Sequence, residues 1–508
     1  MMKTAVERAE PGVNEVESWL RRWERDLGPE GTAGPARPAG PAGPAVRANV
    51  GMFRSRRVLG TLCPGEVEQV RGIVGSAVAG VTLYPLSTGH NWGLGSRDPV
   101  HDDAVLLDLR RLDQVRLLDL EAGVAVVEPG VTQGRLAGLL AGGPYMLNVT
   151  ASSAHTSIVG NALERGVGLR RQRCEDVAGL EVVLADGRLV RLGSWPDEAG
   201  RVVPYRHEVG PALMPLFAQS SFGVVTAAVI RLLPRPGAVH LVRLAFGAAR
   251  LAAVVDELRD CQGQRLISGV LKIYQPPDGE ECVAYCCVDG DPELADLARG
   301  LLMRRARRSG LFGDVRDYTG RGTAGDTTGD TAGDTAGDIG GDIGGEQLPE
   351  QLRRCLSGDP GGNEVVLREW FGASSDGIDA NPGTGYLFFL PLLPFQGAAV
   401  ERARALVREV SAETGTRWQA TVNAITGDVI DLAVSCLFPK AAAAQAHQAL
   451  DLLHRRFAAH GWRPYRLDVD HMSAGGPPEL LRRLKDLFDP RGVLARGRYE
   501  PPDGAAST

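Results

Sequence analysis

Of the 508 residues only four are lysine (Lys3, Lys272, Lys440 and Lys485) against 52 arginines, and the formal charge at pH 7 is −6. With no basic excess and no basic run interleaved with aromatics, the chain has no field for gathering a phosphate backbone, and nucleic acid is not an expected partner. No apolar run approaches the roughly 20 residues that cross a bilayer, so no membrane partner is expected. The opening MMKTAVERAEPGVNEVESWL carries acids and no apolar centre, and therefore reads as neither a secretory signal nor a transit peptide. The cytoplasm is the expected location. The eight cysteines show no CxxC spacing and no nearby paired histidines, which points to buried free thiols and to no metal site. A CxxCH heme motif is also missing.

What is present is the composition of a folded protein, 44% apolar and 23% charged. The length predicts two or three domains. Residues 13–27 show apolar positions at helical spacing, and the Pro/Gly/Ala stretch 31–44 cannot hold a helix or strand, so the first helix should be loosely tethered. A helix over 64–79 and strands at VTLYPLS, AVLLDL, VRLLDL, GVAVVEPGV, GLEVVLADGRLVRL and GVVTAAVIRLL follow, with a hairpin turn at Ala185-Asp186-Gly187. After the PRPG at 234–237 come HLVRLAF, AARLAAVVDELRDC, the core strand ECVAYCCV, GYLFFLPLLP and GAAVERARALVREVSAET, a sheet covered by helices. The period-four GDT/GGDI repeat of 322–346 fits no calcium loop and reads as a disordered, solvated insert. The end reads as a helix, a short strand PYRLDVDH, another helix and DPRGVLARGRY.

The most informative segment is PLSTGHNWGLGS (85–96), a strand followed by a glycine-rich turn whose N–H groups can converge on an anion. It lacks GxGxxG spacing and a βαβ frame, which excludes a nicotinamide site. It is followed in order by VVEPGVT, VGNALERGVG, GLEVVLADGRLVRLG, SFGVVTAAVIRLLP, FFLPLLPFQG, GWRPYR and DPRGVLARGR. This series resembles the vanillyl-alcohol oxidase / p-cresol methylhydroxylase family of FAD-linked enzymes over nearly the whole chain. The resemblance implies an α+β fold, with a two-part FAD-binding domain and a separate α+β cap domain carrying an antiparallel sheet covered by helices. The boundaries expected are 1–50 for the helix and linker, 51–236 for the FAD-binding domain, 237–455 for the substrate cap with its insert at 322–346, and 456–508 for a segment completing the site.

On that frame Ser87, Thr88, Gly89, His90 and Asn91 with Gly93, Gly95 and Ser96 would donate N–H groups to the FAD diphosphate. Pro129, Gly130, Val131 and Thr132 form a turn in which Thr132 caps the next helix. Ser152, Ser153, Ser157, Gly160 and Asn161 would allow close approach to the isoalloxazine, Gly223, Val224, Val225 and Thr226 would line the adenine side, and Arg498 would also bind the cofactor. Relatives with a histidine at the place of His90 attach the flavin 8α-methyl carbon to it. The alternative C-terminal tether falls near Leu432, which has no imidazole, so His90 is the expected attachment point, against a second reading in which it only hydrogen-bonds the diphosphate. Tyr465 and Arg466 match the pair that holds a phenolate, whereas Leu94 and Ser152 stand where the phenol oxidases have a tyrosine and a catalytic aspartate. In the bland alternative Arg466 pairs with Asp468. His471 is a candidate base.

The implied reaction is hydride transfer from an alcohol, amine or benzylic/phenolic carbon of a small molecule to flavin N5, with oxygen or another acceptor reoxidising the flavin, in bacterial secondary metabolism. Two other readings stay open: a sugar or hydroxy-acid oxidase of the histidine-tethered type, and a flavin-binding protein without redox turnover. A homodimer is compatible with the resemblance.

Overall fold

The computed structural model describes residues 13–31, 49–95, 97–207, 209–269, 271–275, 280–318, 347–473 and 475–501. Most of the 31–44 linker, the whole 322–346 repeat and Ser96 lie outside these residues.

The first unit comprises α1 (Val13–Leu27), β1 (Val58–Leu62), α2 (Val67–Gly75), β2 (Thr82–Leu86) and β3 (Ala104–Asp108), with the strands in a parallel sheet of order β1-β3-β2. The linker expected to tether α1 loosely lies almost entirely outside the described residues, but the helix itself is docked. Trp19, Leu20 and Leu27 are buried in one cluster with Val70, Ile73 and Val74 of α2. The indoles of Trp19 and Trp23 both donate to Ser76 Oγ, at 3.1 and 3.0 Å. An amphipathic helix with its own buried aromatic stripe docks through that stripe, whatever joins it to the rest.

The second unit contains β4 (Val115–Asp119), β5 (Val124–Val127), α3 (Gln133–Leu139), β6 (Tyr145–Met146), α4 (Ile158–Leu163), β7 (Val177–Val183), β8 (Leu189–Gly193) and β9 (Val224–Arg231). Its sheet is antiparallel, in the order β4-β5-β9-β7-β8. The β7–β8 connection is the Asp186-Gly187 turn, with Gly187 at φ +83°.

The chain then passes through β10 (Leu233–Pro234), paired with β6, into the cap. The cap is built from β11 (Ala238–Gly247), α5 (Leu251–Gly263), β12 (Leu271–Gln275), β13 (Glu281–Gly290), α6 (Pro292–Ser309), β14 (Asp314–Asp317), α7 (Gln347–Leu356), α8 (Gly361–Phe371), β15 (Thr384–Phe389), β16 (Leu392–Pro394), α9 (Gly397–Thr414), β17 (Gln419–Ala424), β18 (Val429–Pro439) and α10 (Ala443–Ala458). Its strands form one antiparallel sheet, β14-β11-β13-β12-β17-β18-β15, with β16 also on β18. The face carrying Leu271, Ile273, Val422, Ile430, Leu432 and Val434 is buried in one cluster with apolar residues of α5, α9 and α10. Strand alternation sends the intervening residues to the opposite face.

The C-terminal stretch returns to the first unit. After α11 (Pro478–Phe488), the carboxylate of Asp489 accepts from the N–H groups of Val493 and Leu494, at 3.0 and 2.8 Å. The turn so formed adds Leu494 beside Leu83 of β2, through Leu83 N–H to Val493 O at 2.7 Å and Ala495 N–H to Leu83 O at 2.8 Å.

The strand expected at PYRLDVDH does not form. A single bridge joins Pro464 to Pro391, and the chain bends from Tyr465 onward. From Asp468 onward the turn is fixed by Asp468 Oδ1, which accepts from the N–H groups of both Asp470 and His471, at 3.0 and 3.1 Å. An aspartate that captures backbone donors two and three residues ahead makes a turn in spite of the alternating pattern around it.

Candidate active site

A cavity of ≈ 1160 Å³ opens between the first two units, the cap sheet and the C-terminal return. That exceeds the upper part of the roughly 300–1,000 Å³ range of a drug-sized pocket, leaving room for a dinucleotide together with a small molecule.

On one side the chain leaves β2 through Ser87, Thr88, Gly89, His90 and Asn91, all of which line the cavity. Three segments distant in sequence are knitted here. Thr88 Oγ1 accepts from Ser157 N–H at 3.1 Å, while Ser157 Oγ donates to Pro129 O at 2.6 Å and caps α4 by accepting from Gly160 N–H at 2.9 Å. Pro129, Ser152, Ser157, Gly160 and Asn161 line the cavity. A Cβ on Gly160 would stand 2.3 Å from Ser87 Oγ, so a side chain there requires the Ser87 hydroxyl to move.

Other residues named from the sequence lie behind this wall. Gly93 and Gly95 are not among the lining residues; a Cβ on Gly93 would meet the Tyr386 ring at 2.8 Å, so this glycine lets the loop pack on β15. Gly130 and Val131 belong to the turn, with Val131 in the core, and Thr132 caps α3 by accepting from Arg135 N–H. Strand alternation divides the 223–226 block. Gly223 and Val225 line the cavity, Val224 packs toward α2, and Thr226 donates to Glu181 at 3.0 Å. Ser153 Oγ donates to Glu364 of α8 at 2.7 Å. The same carboxylate accepts from Ala154 N–H at 2.7 Å, while Asn363 Nδ2 donates to the carbonyls of Thr150 and Ser152, each at 2.8 Å, so α8 clasps this wall.

These residues fit FAD. Gly160 adds no side chain to the lining, and Thr156 Oγ1 and Asn161 Oδ1 are buried in it without a hydrogen-bond partner among the described residues. Buried polar atoms of that kind call for a polar ligand. His90 lines the cavity beside Trp92 and His155, with ring centroids 5.4 and 6.2 Å away. Leu432 points to the helix-covered core instead.

Where the two sides meet, Glu164 at the end of α4 is bonded by Arg498, which also bonds Tyr84 OH. Tyr499 OH donates to Glu164 at 2.8 Å, and Arg466 Nε lies 3.5 Å from the same carboxylate. Arg466 Nη2 donates to Asn91 Oδ1 at 2.8 Å. The acid beside Arg466 is therefore Glu164, not Asp468. Burial opposes the charge of Glu164, but Arg498, Arg466 and Tyr499 hold its carboxyl below the ordinary value. Two guanidiniums against one carboxylate leave a positive charge in excess. Because segment 464–471 bends, Tyr465 and Arg466 both line the cavity. Desolvation, reinforced by Asp431, raises the Tyr465 phenol well above its usual range against Arg466, so it stays an O–H donor.

His471 is absent from the lining. It stacks on His454, with centroids 3.8 Å and planes 11° apart, and both rings bond the buried carboxylate of Asp468.

The opposite side is the polar face of the cap sheet, which the sequence did not single out. Lys272, Asn423 and Asp431 stand directly across from one another on β12, β17 and β18, and Tyr274, Thr421 and Ala433 form the next row. All six line the cavity. The available signal was a lone charge inside an apolar strand, as in LKIYQ and VIDLAVSCLF. Trp92, Trp370, Tyr386 and Phe388 provide apolar walls.

Residues 58–193, which include the glycine-rich turn, match the FAD binding domain family. The fold superposes on p-cresol methylhydroxylase with substrate bound at a TM-score of 0.79, over 96% of this chain and 98% of that one, at 21% identity. The chain carries an FAD-binding domain and has the fold of p-cresol methylhydroxylase. This flavoenzyme is 26% identical to the 1'-carboxy-chondrochloren decarboxylase of Chondromyces crocatus, over 88% of its own length and 91% of the relative's. It is 34% identical to the flavoprotein subunit of 4-cresol dehydrogenase [hydroxylating] of Pseudomonas putida, over 38% of each chain. No helix among the described residues is long and apolar enough to cross a membrane.

Proposed function

We propose that the enzyme oxidises a phenolic small molecule by two electrons at a carbon held between the FAD wall and the cap sheet. The observation that carries this reading is the pairing of Tyr465 and Arg466 on the seam, beside one excess positive charge. Arg466 and the Tyr465 O–H hold the substrate oxygen as an anion, and a charge-assisted pair in a dry cavity favours that ionised form. Bound FAD supplies the two-electron acceptor. Ser87–Asn91, Pro129, Ser157, Gly160, Asn161, Gly223, Val225 and Arg498 hold the cofactor, and His90 is the attachment point. The aromatic walls exclude water. Ser152, hydrogen-bonded to Thr150 at 2.7 Å, orients neighbouring groups and, as a neutral hydroxyl, does not serve as the base.

Anaerobic addition of para-alkylphenols to the purified yellow protein should bleach the flavin, and admission of air should restore the colour. A flavin that no phenol, alcohol or amine bleaches would identify a binding protein without turnover. A second reading, loss of a carboxyl group as carbon dioxide, is favoured by the end-to-end similarity to a decarboxylase. Carbon dioxide released in proportion to bleaching decides for it.

A further inference from the structure

We propose that Lys272, Asn423 and Asp431 form a carboxylate-binding subsite on the cap sheet, so that the substrate carries a carboxylate in addition to the group held at Arg466. The proposal rests on the cavity being the substrate site and names the substrate class.

The three residues are brought together by register. Lys272 pairs with Asn423 and Asn423 with Asp431, which places their side chains in one row on the cavity face. All three are more than nine-tenths buried, at 9, 7 and 3% exposure. Asn423 Nδ2 donates to Asp431 Oδ2 at 3.2 Å, but Asn423 Oδ1 and Asp431 Oδ1 have no hydrogen-bond partner among the described residues. Lys272 is in electrostatic reach of Asp431 and Cys355 without an ion pair among the described residues. A buried ammonium with no ion pair among the described residues and a buried carboxyl with a free oxygen are each costly unless a ligand completes them.

Charge selects the ligand. Burial pushes the Asp431 carboxyl up to about 7, against Asn423 and Lys272, so near neutrality it is available as an O–H donor. Burial lowers the pKa of the Lys272 ammonium as well, with Asp431 opposing that shift; a lysine that stays charged beside a protonated Asp431 gives the row a single positive charge. A carboxylate neutralises it, taking one bond from Lys272 Nζ and one from the Asp431 O–H. An ammonium would face Lys272 with like charge, and an alcohol would leave that charge uncompensated.

The test is calorimetric titration of the holoenzyme with hydrocinnamate and with its isosteric carboxamide. The acid should bind roughly tenfold or more tightly than the amide, the usual scale of a hydrogen bond to a charged group. Lys272→Met should bring the two affinities together, and Lys272→Arg should restore part of the preference. Equal binding of acid and amide by the wild type overturns the subsite without recourse to any variant, as does a preference unchanged in Lys272→Met. Binding of para-propylphenol that is indifferent to Arg466→Ala would remove the phenolate clamp instead, leaving the Lys272 result standing.

Discussion

Arg466 Nη2 donates to Asn91 Oδ1 at 2.8 Å, joining the C-terminal segment to the glycine-rich turn. The guanidinium is thus anchored to that turn, and Arg466 lines the cavity. Arg466→Ala should weaken a phenolic substrate by about 2–4 kcal/mol, the loss expected when one member of a buried charge pair is truncated. Unchanged kcat/KM with a para-alkylphenol would take Arg466 out of the site.

His90 can be tested by acid precipitation. The wild-type pellet should stay yellow, whereas His90→Ala should release its FAD to the supernatant. A colourless wild-type pellet disproves the covalent link, while FAD in the supernatant would still report the binding site.

Gly160 and Gly138 make a matched pair on neighbouring helices. A Cβ at Gly160 collides with Ser87 Oγ, whereas at Gly138, inside α3, it meets nothing within 4 Å. Gly160→Ala should lower the FAD content of the purified protein. Gly138→Ala should leave FAD content intact and raise stability by about 0.5–1 kcal/mol through helix propensity, read as a higher Tm. Full FAD loading of Gly160→Ala would mean that the wall tolerates a wider α4–loop spacing.

The His454–Asp468–His471 stack has a defined pH signature. Burial disfavours charge on His471, but Asp468, Asp451 and Asp470 raise its pKa above the ordinary 6.5. A raised histidine contributes stability in full below its unfolded pKa and loses it as pH rises through the folded value. Asp468 is opposite in sign. Burial resists its charge, the two histidines depress its pKa, and its contribution is lost only as pH falls into the acid range. Melting scans should therefore show the wild type losing stability relative to His471→Gln as pH rises from about 6.5. Asp468→Asn should cost about 3 kcal/mol or more at neutral pH, as breaking a buried ionic pair does. Parallel profiles for wild type and His471→Gln would exclude this titration.

Local features were readable in the sequence. The turn after β2 and the Asp186-Gly187 hairpin follow from residue types that favour one backbone conformation, and the sheet-and-helix cap follows from apolar periodicity. Features made by register or by long-range pairing were hidden. Lys272, Asn423 and Asp431 become a row only once three strands are aligned, and Glu164 gains its two arginines from a segment that returns after the whole cap. PYRLDVDH misled for a physical reason, since its alternation imitates a strand while Asp468 spends its oxygens on the backbone just ahead.

The return of residues 489–498 to β2 sets an order of events during synthesis. Tyr84 and Glu164 are made early, but the guanidinium that ties them together emerges from the ribosome only after the cap has been translated. If the proposed site holds FAD, a chain interrupted within the cap would have most of the residues proposed to face the cofactor yet lack the guanidinium that joins Tyr84 to Glu164.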